Sequence, residues 1–338
     1  MTGNGPLLTV DDLAVHYRGR RRQLHKAVDQ VSFDIRPGET VGLVGESGSG
    51  KSTIARAILG LAPVTAGTVA FDGRDITRAG FAERRRLSAD LQAVFQDPTS
   101  SLNPSRTIGS TLAEPLLAQG VRGRDEINRR VGEMLERVGL SPEAAARHPA
   151  RFSGGQRQRI GIARALMTAP RLVICDEVVS ALDLSVQAQV LNLLRELQRD
   201  QRLSYLFISH DLEVVRHLCD RVLVLYRGRL VETGPATTVS ARPAHPYTDA
   251  LHKAAPVLDP RVQRERRLAA AAAAPPEAHG SAQWDGCAFR PRCAFADDLC
   301  RTETPLPRDA GHDITVACHH YPAWQDRPVL ATTQRREA

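Results

Sequence analysis

Hydrophobic and polar positions follow two different periods along the first 235 residues of the chain. Short apolar runs of the kind that form buried strands lie at 28–44, 67–72, Leu172–Cys175 and Tyr205–Ile208. Between Val186 and Leu197, apolar residues recur every three or four positions, which predicts one buried face of a helix. A second helix is predicted at Ile54–Leu61. Because strands alternate with helices, we expect an α/β domain with a largely parallel sheet.

The pattern changes in the last third of the chain. A hairpin-like run, Val222–Val231, closes the α/β pattern near Gly234, and six alanines before Pro275-Pro276 are typical of a linker. We therefore divide the chain into an α/β domain at 1–240, a motif and linker at 241–276, and a separate cysteine-bearing tail at 277–338.

Composition and charge set broad limits on location and partners. The 338 residues are 42% hydrophobic and carry a formal charge of +7. No leader sequence stands at the start, and no apolar run reaches the roughly 18 residues of a membrane span, so we expect a cytoplasmic protein. Basic clusters at Arg18–Arg22 and Arg84–Arg86 suit nucleic acid, an anionic membrane face or a polyphosphate, and equally suit solvated loops.

The sequence Gly-Glu-Ser-Gly-Ser-Gly-Lys-Ser-Thr follows an apolar strand and opens a helix, as in a Walker A phosphate loop. Glycines allow backbone amides to surround a phosphate, and the helix N-terminus favours its charge. Lys51 is expected to neutralise the β- and γ-phosphates, and Ser52 to coordinate Mg²⁺. A plain glycine-rich turn would not require this strand and helix. The predicted ATP-binding residues here are Gly45, Glu46, Ser47, Gly48, Ser49, Gly50, Lys51, Ser52 and Thr53.

Two carboxylates end the apolar run Leu172–Cys175. Such a run taken alone equally suits a core strand with a polar end, but beside a Walker A loop it predicts a Walker B element. Asp176 is expected to hold Mg²⁺, and Glu177 to orient and polarise the water that attacks the γ-phosphate.

The segment Phe152–Arg159 contains Phe-Ser-Gly-Gly-Gln and closely resembles the signature motif of ABC ATPases. Further elements of that family follow its order: Gln96 in a Q-loop, Ser180 and Asp183 in a D-loop, and His210 as the switch histidine. The resemblance covers about residues 7–235. It implies an ABC cassette: a RecA-like core, an antiparallel β subdomain and a helical subdomain at roughly 97–161. It also implies that Gln96 helps to hold Mg²⁺ and that His210 contacts the γ-phosphate.

The resemblance further implies a head-to-tail pair of cassettes. The signature residues Ser153, Gly154, Gly155 and Gln156 would complete the ATP site of the opposite subunit. A helix cap accounts for the serine and glycines, but we expect it to leave Gln156 unexplained. Tyr17 lies where this family stacks an aromatic ring on adenine, although a strand tyrosine also packs in cores. A histidine at a strand end, such as His210, is often merely structural.

Further motifs resemble the ATPase subunits of bacterial dipeptide and oligopeptide importers, specifically the F-type of the two paired ATPases. They are Phe95–Pro104, Ser185–Val190, Tyr205–Leu212 and His245–Leu251. The resemblance implies a peripheral subunit on the cytoplasmic face of the membrane, bound to two permeases and a second homologous ATPase. An extracytoplasmic peptide-binding protein would deliver peptides to the permeases, and nucleic acid is not expected as a partner. Val178 replaces the proline usual after the catalytic glutamate, and we expect hydrolysis to survive. Alternatives are a nickel or other small-solute importer, an exporter cassette, and a soluble ABC ATPase of repair or translation.

Four cysteines in the tail have the spacing Cys287-x5-Cys293-x6-Cys300-x17-Cys318. Four soft thiolates suit a [4Fe–4S] cluster or a tetrahedral Zn²⁺, and reduced unligated thiols are the third alternative. The gaps are wider than those of zinc ribbons, and some peptide-importer ATPases resemble this tail and carry a cluster, so we expect [4Fe–4S]. His319 and His320 keep zinc open.

Overall fold

The computed structural model describes residues 5–18, 24–95, 102–180, 182–254 and 286–325. The chain forms two compact units that interleave along the sequence. The first consists of Met1–Val15, Ser32–Val41 and Ser52–Ser209, and the second of His16–Val31, Gly42–Lys51 and His210–Ala338. Residues 255–276 of the predicted motif and linker, and 277–285 of the predicted tail, lie outside the described residues.

Strands and helices alternate in the order that the hydrophobic pattern predicts. The strands are β1 Leu8–Arg18, β2 Leu24–Ile35, β3 Thr40–Val44, β4 Ala66–Phe71, β5 Arg74–Asp75, β6 Leu91–Val94, β7 Leu172–Asp176, β8 Ser204–Ser209, β9 Arg221–Tyr226, β10 Arg229–Pro235, β11 Arg308–Asp309 and β12 Thr315–Val316. The α-helices are α1 Lys51–Ile58, α2 Phe81–Leu87, α3 Ile108–Ala118, α4 Arg124–Arg137, α5 Gly154–Leu166, α6 Leu184–Gln201, α7 Leu212–Leu218, α8 Ala236–Ala241, α9 Pro246–Ala254 and α10 Asp298–Thr302. Short 3₁₀ turns lie at Pro142–Ala146, Pro149–Arg151 and Arg290–Arg292.

Parallel strands form the centre of the first unit. β6, β7 and β8 pair in parallel, with Leu172 opposite both Leu91 and Ser204. Every residue of β7 and β8 is buried, which explains why their sequences are almost continuously apolar. In the same unit β1, β4 and β5 pair antiparallel, so both the parallel core and the antiparallel subdomain of the predicted fold are present.

The helices confirm the predicted periodicity and correct both bounds of one predicted helix. Val190, Leu193, Leu194 and Leu197 form the buried face of α6, as predicted, while Val186 of the same stripe is half-buried. α1 starts at Lys51 and ends at Ile58, three residues before the predicted bounds at each end. It ends early because Gly60 adopts a left-handed φ of 73°, while Leu61 N–H donates to the Arg56 carbonyl at 2.7 Å.

The described part of the tail belongs to the second unit and is not a separate body, contrary to the sequence-based expectation. β9, β10, β12 and β11 pair antiparallel in that order, with Glu232 of β10 opposite Val316 of β12. The Trp324 indole N–H donates to the Ala244 carbonyl at 2.8 Å. The tail has few apolar residues, which suggested that it forms a separate segment. Its strands instead pair with the β9–β10 hairpin, which supplies a core. Among the helices described, none combines the length and apolarity that crossing a bilayer requires.

Candidate ATP-binding site

The phosphate loop lies in the second unit, between β3 and α1. Gly50 has φ of 111°, and a Cβ there would lie 2.3 Å from the Ala27 carbonyl oxygen. A Cβ on Gly45 would lie 2.2 Å from the Leu225 carbonyl oxygen. Neither position therefore tolerates a side chain, which is why the loop requires glycine at both.

Lys51 lies inside this loop. Its side chain is almost fully buried, and its Nζ donates to the carbonyls of Gly45 at 2.7 Å and Glu46 at 2.9 Å. A buried ammonium is costly unless anionic or polar acceptors face it. The loop therefore concentrates positive charge beside exposed Ser47 and Gly48, a setting that fits a polyphosphate.

Two residues outside the predicted set also contact the loop. The Glu46 backbone N–H donates to Tyr247 Oη at 2.8 Å, and Arg292 Nη1 lies 2.7 Å from Glu46 Oε2. Tyr247 belongs to the His-Pro-Tyr motif and Arg292 precedes Cys293, but nothing in their spacing connects them with residue 46. Sequence analysis therefore missed both.

Ser52 and Asp176 are brought together in the first unit. Ser52 Oγ donates to Asp176 Oδ1 at 3.2 Å, where the first turn of α1 meets the carboxyl end of β7. A hydroxyl beside a nearly buried carboxylate is a hard oxygen pair of the kind that Mg²⁺ prefers. The pair fits the predicted magnesium site.

Glu177 has an unusual backbone. It is half-buried and adopts a left-handed φ of 50°, and its N–H continues the β7–β8 ladder by donating to the Ile208 carbonyl at 3.1 Å. Ser180 N–H and Oγ both donate to its carbonyl. Non-glycine residues in this region cost of order 1 kcal/mol and cluster at functional sites. The following Val178, at the position where the resemblance leads us to expect proline, is buried.

The signature segment begins α5 with a complete capping box. Ser153 Oγ accepts from the Gln156 N–H at 3.3 Å, and Gln156 Oε1 accepts from the Ser153 N–H at 3.0 Å. The expectation that a cap leaves Gln156 unexplained is therefore wrong, because its side chain is half of the cap. Ser153, Gly154 and Gln156 are nevertheless exposed, so this helix N-terminus is accessible to an anion.

Gly155 differs from its neighbours because it is buried. A Cβ at this position would lie 2.3 Å from Val186 Cγ1 of α6. The second signature glycine thus allows α5 and α6 to approach closely. Asp183 caps α6: its side chain accepts from Val186 N–H at 3.0 Å and from Ser185 Oγ at 2.7 Å. The Ser185 hydrogen bond, followed by the backbone donor, lowers the pKa of Asp183.

Of the remaining predicted nucleotide contacts, Ser49 is buried and Thr53 half-buried, Tyr17 and His210 are exposed, and Gln96 lies outside the described residues. His210 directly follows β8 and is exposed, as a γ-phosphate contact requires. Tyr17 is 39% exposed on β1, which excludes the alternative that it packs in a core. Gln96 lies outside the described residues, so its role stays a prediction.

The basic cluster at Arg84–Arg86 is partly structural. Arg84 donates to the carbonyls of Ile58 at 2.7 Å and Ile76 at 2.5 Å. It therefore stabilises the end of α1, and its guanidinium is already engaged. Of the other cluster, only Arg18 is described.

All four tail cysteines line one cavity in the second unit, together with His245 and Phe289. None of them is in a disulfide. Burial raises the pKa of Cys293 to about 12 and that of Cys300 to about 11, and it also raises the pKa of Cys287 and Cys318. His320 Nε2 lies 3.4 Å from Cys300 Sγ and 3.3 Å from Asp297 Oδ2. Burial thus favours neutral thiols in this cavity, and a bound metal cation would favour their thiolate form.

Comparison with known proteins agrees with this geometry. Residues 28–180 match the family described as ABC transporter, and residues 231–300 match the oligopeptide/dipeptide transporter C-terminal region. The chain is 47% identical to the oligopeptide transport ATP-binding protein OppF of Salmonella typhimurium, over 89% of this chain and 92% of that protein. It is 44% identical to the di/tripeptide transport ATP-binding protein DppF of Pseudomonas aeruginosa, over 93% and 97% respectively.

A solved structure shows the same fold. The ATP-binding cassette MJ0796, in a dimeric post-hydrolysis state bound to ADP and Pi, superposes with a TM-score of 0.62 at 28% identity. The match covers 68% of this chain and 98% of that cassette. The chain therefore belongs to the ABC transporter ATP-binding proteins, in the branch that carries the oligopeptide/dipeptide transporter C-terminal region.

Proposed function

We propose that this chain hydrolyses ATP to power the import of dipeptides and oligopeptides across the cytoplasmic membrane. The observation that carries the proposal is its similarity, over about nine-tenths of the chain, to ATP-binding proteins named for oligopeptide and di/tripeptide transport. The match extends through the C-terminal region as well as the cassette. A soluble ATPase of repair or translation would not account for that region.

The residues divide the reaction among themselves. Lys51 and the loop amides bind the β- and γ-phosphates, while Ser52 and Asp176 would hold Mg²⁺, which neutralises charge on the phosphates. Glu177 accepts the proton of the attacking water as that water's oxygen bonds to the γ-phosphorus, and the bond to the ADP oxygen breaks. His210 contacts the γ-phosphate and thereby registers its release.

The exposed signature favours a two-cassette mechanism. The Ser153 cap leaves backbone N–H groups at the start of α5, and their dipole favours an anion from outside the chain. We propose that they contact ATP held by a second, homologous cassette, with Ser180 and Asp183 at the same junction. ATP then closes the pair and hydrolysis opens it, which drives two permeases fed by a peptide-binding protein.

We also propose that the tail cysteines hold a [4Fe–4S] cluster. In a tetrahedral zinc site with Zn–S bonds of about 2.3 Å, thiolates approach to roughly 3.8 Å of one another. Among the residues that the structure describes, the one group of ligand atoms mutually within 4.8 Å is Asp297, Cys300 and His320, not the cysteines together. The proposal of a cluster rests on the sequence spacing, because the gaps of five, six and seventeen residues between the cysteines are wider than those of zinc ribbons.

Transport is tested by deleting the gene in its host and measuring uptake of labelled dipeptides, longer peptides and Ni²⁺. We expect peptide uptake to fall to background, and the wild-type gene, but not one carrying Lys51→Ala, to restore it. Unchanged peptide uptake with lost Ni²⁺ uptake would contradict the proposal and assign the chain to nickel import.

The metal centre is tested by anaerobic purification of the whole chain, with assays of iron, acid-labile sulfide and zinc. We expect four irons and four sulfides per chain and their loss in Cys293→Ser, whereas Cys219→Ser serves as the matched control. Stoichiometric zinc without sulfide would contradict the cluster. Metal-free reduced thiols would contradict both metal alternatives.

A further inference from the structure

One peptide group of the phosphate loop is held from opposite sides. The peptide between Gly45 and Glu46 points its carbonyl oxygen at Lys51 Nζ, 2.7 Å away, and its N–H at Tyr247 Oη, 2.8 Å away. Because a trans peptide directs its C=O and N–H in opposite directions, these two contacts together fix the rotation of the plane. Tyr247 is completely buried, so this acceptor is itself firmly placed.

The side chain of the same residue is held by the cysteine-bearing segment. Arg292 Nη1 lies 2.7 Å from Glu46 Oε2, and the Arg292 guanidinium lies over the rings of Phe289 and Tyr226, at 5.7 Å and 6.0 Å from their centroids. Stacking on two rings limits the orientations of the guanidinium before it meets the carboxylate.

A group of aromatic rings joins the two contacts. Tyr247 lies 4.5 Å from Tyr226 and 5.5 Å from Phe289, measured between ring centroids. Phe289 and Arg292 both lie on the short turn between Cys287 and Cys293, two of the cysteines that line the cavity. The turn is therefore in continuous contact with the phosphate loop through buried rings.

We propose that Tyr247 and Arg292 are positioning residues of the ATP site, through which the folded cysteine segment sets the affinity of the phosphate loop for ATP. With the Gly45–Glu46 peptide fixed, Lys51 and the following loop amides are held ready for phosphate at no further ordering cost. Neither residue touches the nucleotide in this role. The inference rests on the ATPase function of the chain and holds whichever group the cysteines bind.

The experiment measures the ATP dissociation constant of the full-length chain together with amide hydrogen exchange at Gly45–Lys51 without nucleotide. Tyr247→Phe keeps the ring and removes one acceptor, so we expect ATP affinity to fall roughly three- to tenfold and loop exchange to accelerate. Arg292→Ala should act similarly, and Arg292→Lys should recover most of the loss. Arg301→Ala is the control, because this tail arginine pairs with Asp298 and not with the phosphate loop. It should change neither measurement.

A double-mutant cycle separates positioning from simple loss of positive charge. If Arg292 acts through Glu46, Arg292→Ala should weaken ATP binding much less in a Glu46→Gln background than in the wild type. An equal effect in both backgrounds would overturn the role of Arg292. If Arg292→Ala does not fold, Tyr247→Phe decides: wild-type loop exchange and an ATP affinity within twofold of wild type would overturn the proposal. Failure of the wild-type chain to bind ATP would instead refute its proposed function.

Discussion

At the scale of single residues, the structure shows only where the predicted side chains of the ATP site lie. Lys51, Ser52 and Asp176 were predicted as site residues from their type and order, and the structure places Ser52 Oγ 3.2 Å from Asp176 Oδ1. The left-handed backbone of Glu177 was not predictable, because glutamate has no preference for it. It follows from the ladder contact with Ile208, which depends on tertiary structure.

At this scale, replacing Glu177 by Gln tests the assignment of the base. The amide preserves size but cannot take up a proton, so hydrolysis should fall by at least about 100-fold while ATP affinity stays nearly unchanged. Phosphate release and equilibrium ATP binding measure the two effects. Glu213→Gln, at an exposed ion pair with Arg216, is the matched control. Normal turnover in Glu177→Gln would show that another group is the base.

Elements are predictable from hydrophobic period but their close contacts are not. The buried face of α6 follows directly from its apolar spacing. The contact that makes Gly155 necessary involves Val186, which lies 31 residues away and belongs to another helix. Gln156 is a second example of a contact that was missed. Its spacing from Ser153 matches a capping box, but the sequence analysis assigned it only to nucleotide recognition, on the basis of the family motif.

Gly155→Ala tests the packing of α5 on α6. Its new methyl would overlap the rigid, β-branched Val186, so we expect the free energy of unfolding to fall by about 1–3 kcal/mol. Denaturant unfolding measures the loss. Val186→Ala combined with Gly155→Ala should recover part of it. A Gly155→Ala protein as stable as the wild type would show that α5 and α6 can move apart to admit the methyl group without loss of stability.

Glu232, in the hairpin β9–β10, makes the stability of the fold depend on pH. Its carboxyl is buried and accepts from the backbone N–H groups of Ala244 and His245, at 2.7 Å and 2.9 Å. Burial outweighs these hydrogen bonds and raises its pKa to about 7. Since the folded state then binds the proton more tightly than the unfolded state, this stabilisation is complete below about pH 4.5 and is lost as pH rises through 7.

The free energy of unfolding of the wild type, measured from pH 4 to 9, should therefore decline as pH rises. We expect no such decline from this position in Glu232→Gln. The shift corresponds to a few kcal/mol at most. Glu303→Gln provides a matched control in the same unit. An identical pH profile for the wild type and Glu232→Gln would contradict the raised pKa.

The whole molecule is where sequence and structure differ most. The cassette fold and its family were predicted because five motifs occur in the right order. The tail was expected to stand apart, but β12 pairs with β10, and Arg292 contacts the phosphate loop. The Arg292–Glu46 contact joins residues 246 positions apart, and neither this contact nor the strand pairing is encoded in a local pattern.

The two-cassette arrangement predicts an effect that crosses between chains. A bulky substitution, Ser153→Tyr, should block phosphate contact in the partner's site and leave the site of the mutated chain intact. Mixed pairs with one mutated cassette, assayed for ATP cleavage at each site, measure this. Ser153→Ala removes the cap without adding bulk and is the control. A defect confined to the mutated chain's own site would contradict the head-to-tail pairing.

The central claim is that ATP hydrolysis by this chain drives peptide uptake. Its most direct test is transport of a labelled tripeptide in proteoliposomes that contain the permeases, the partner ATPase and this chain, with ATP on the cassette side and the binding protein on the other. We predict accumulation with the wild type and none with Glu177→Gln, although the mutant complex still binds ATP. Equal accumulation with both proteins, or none with either while other solutes accumulate, would contradict the account.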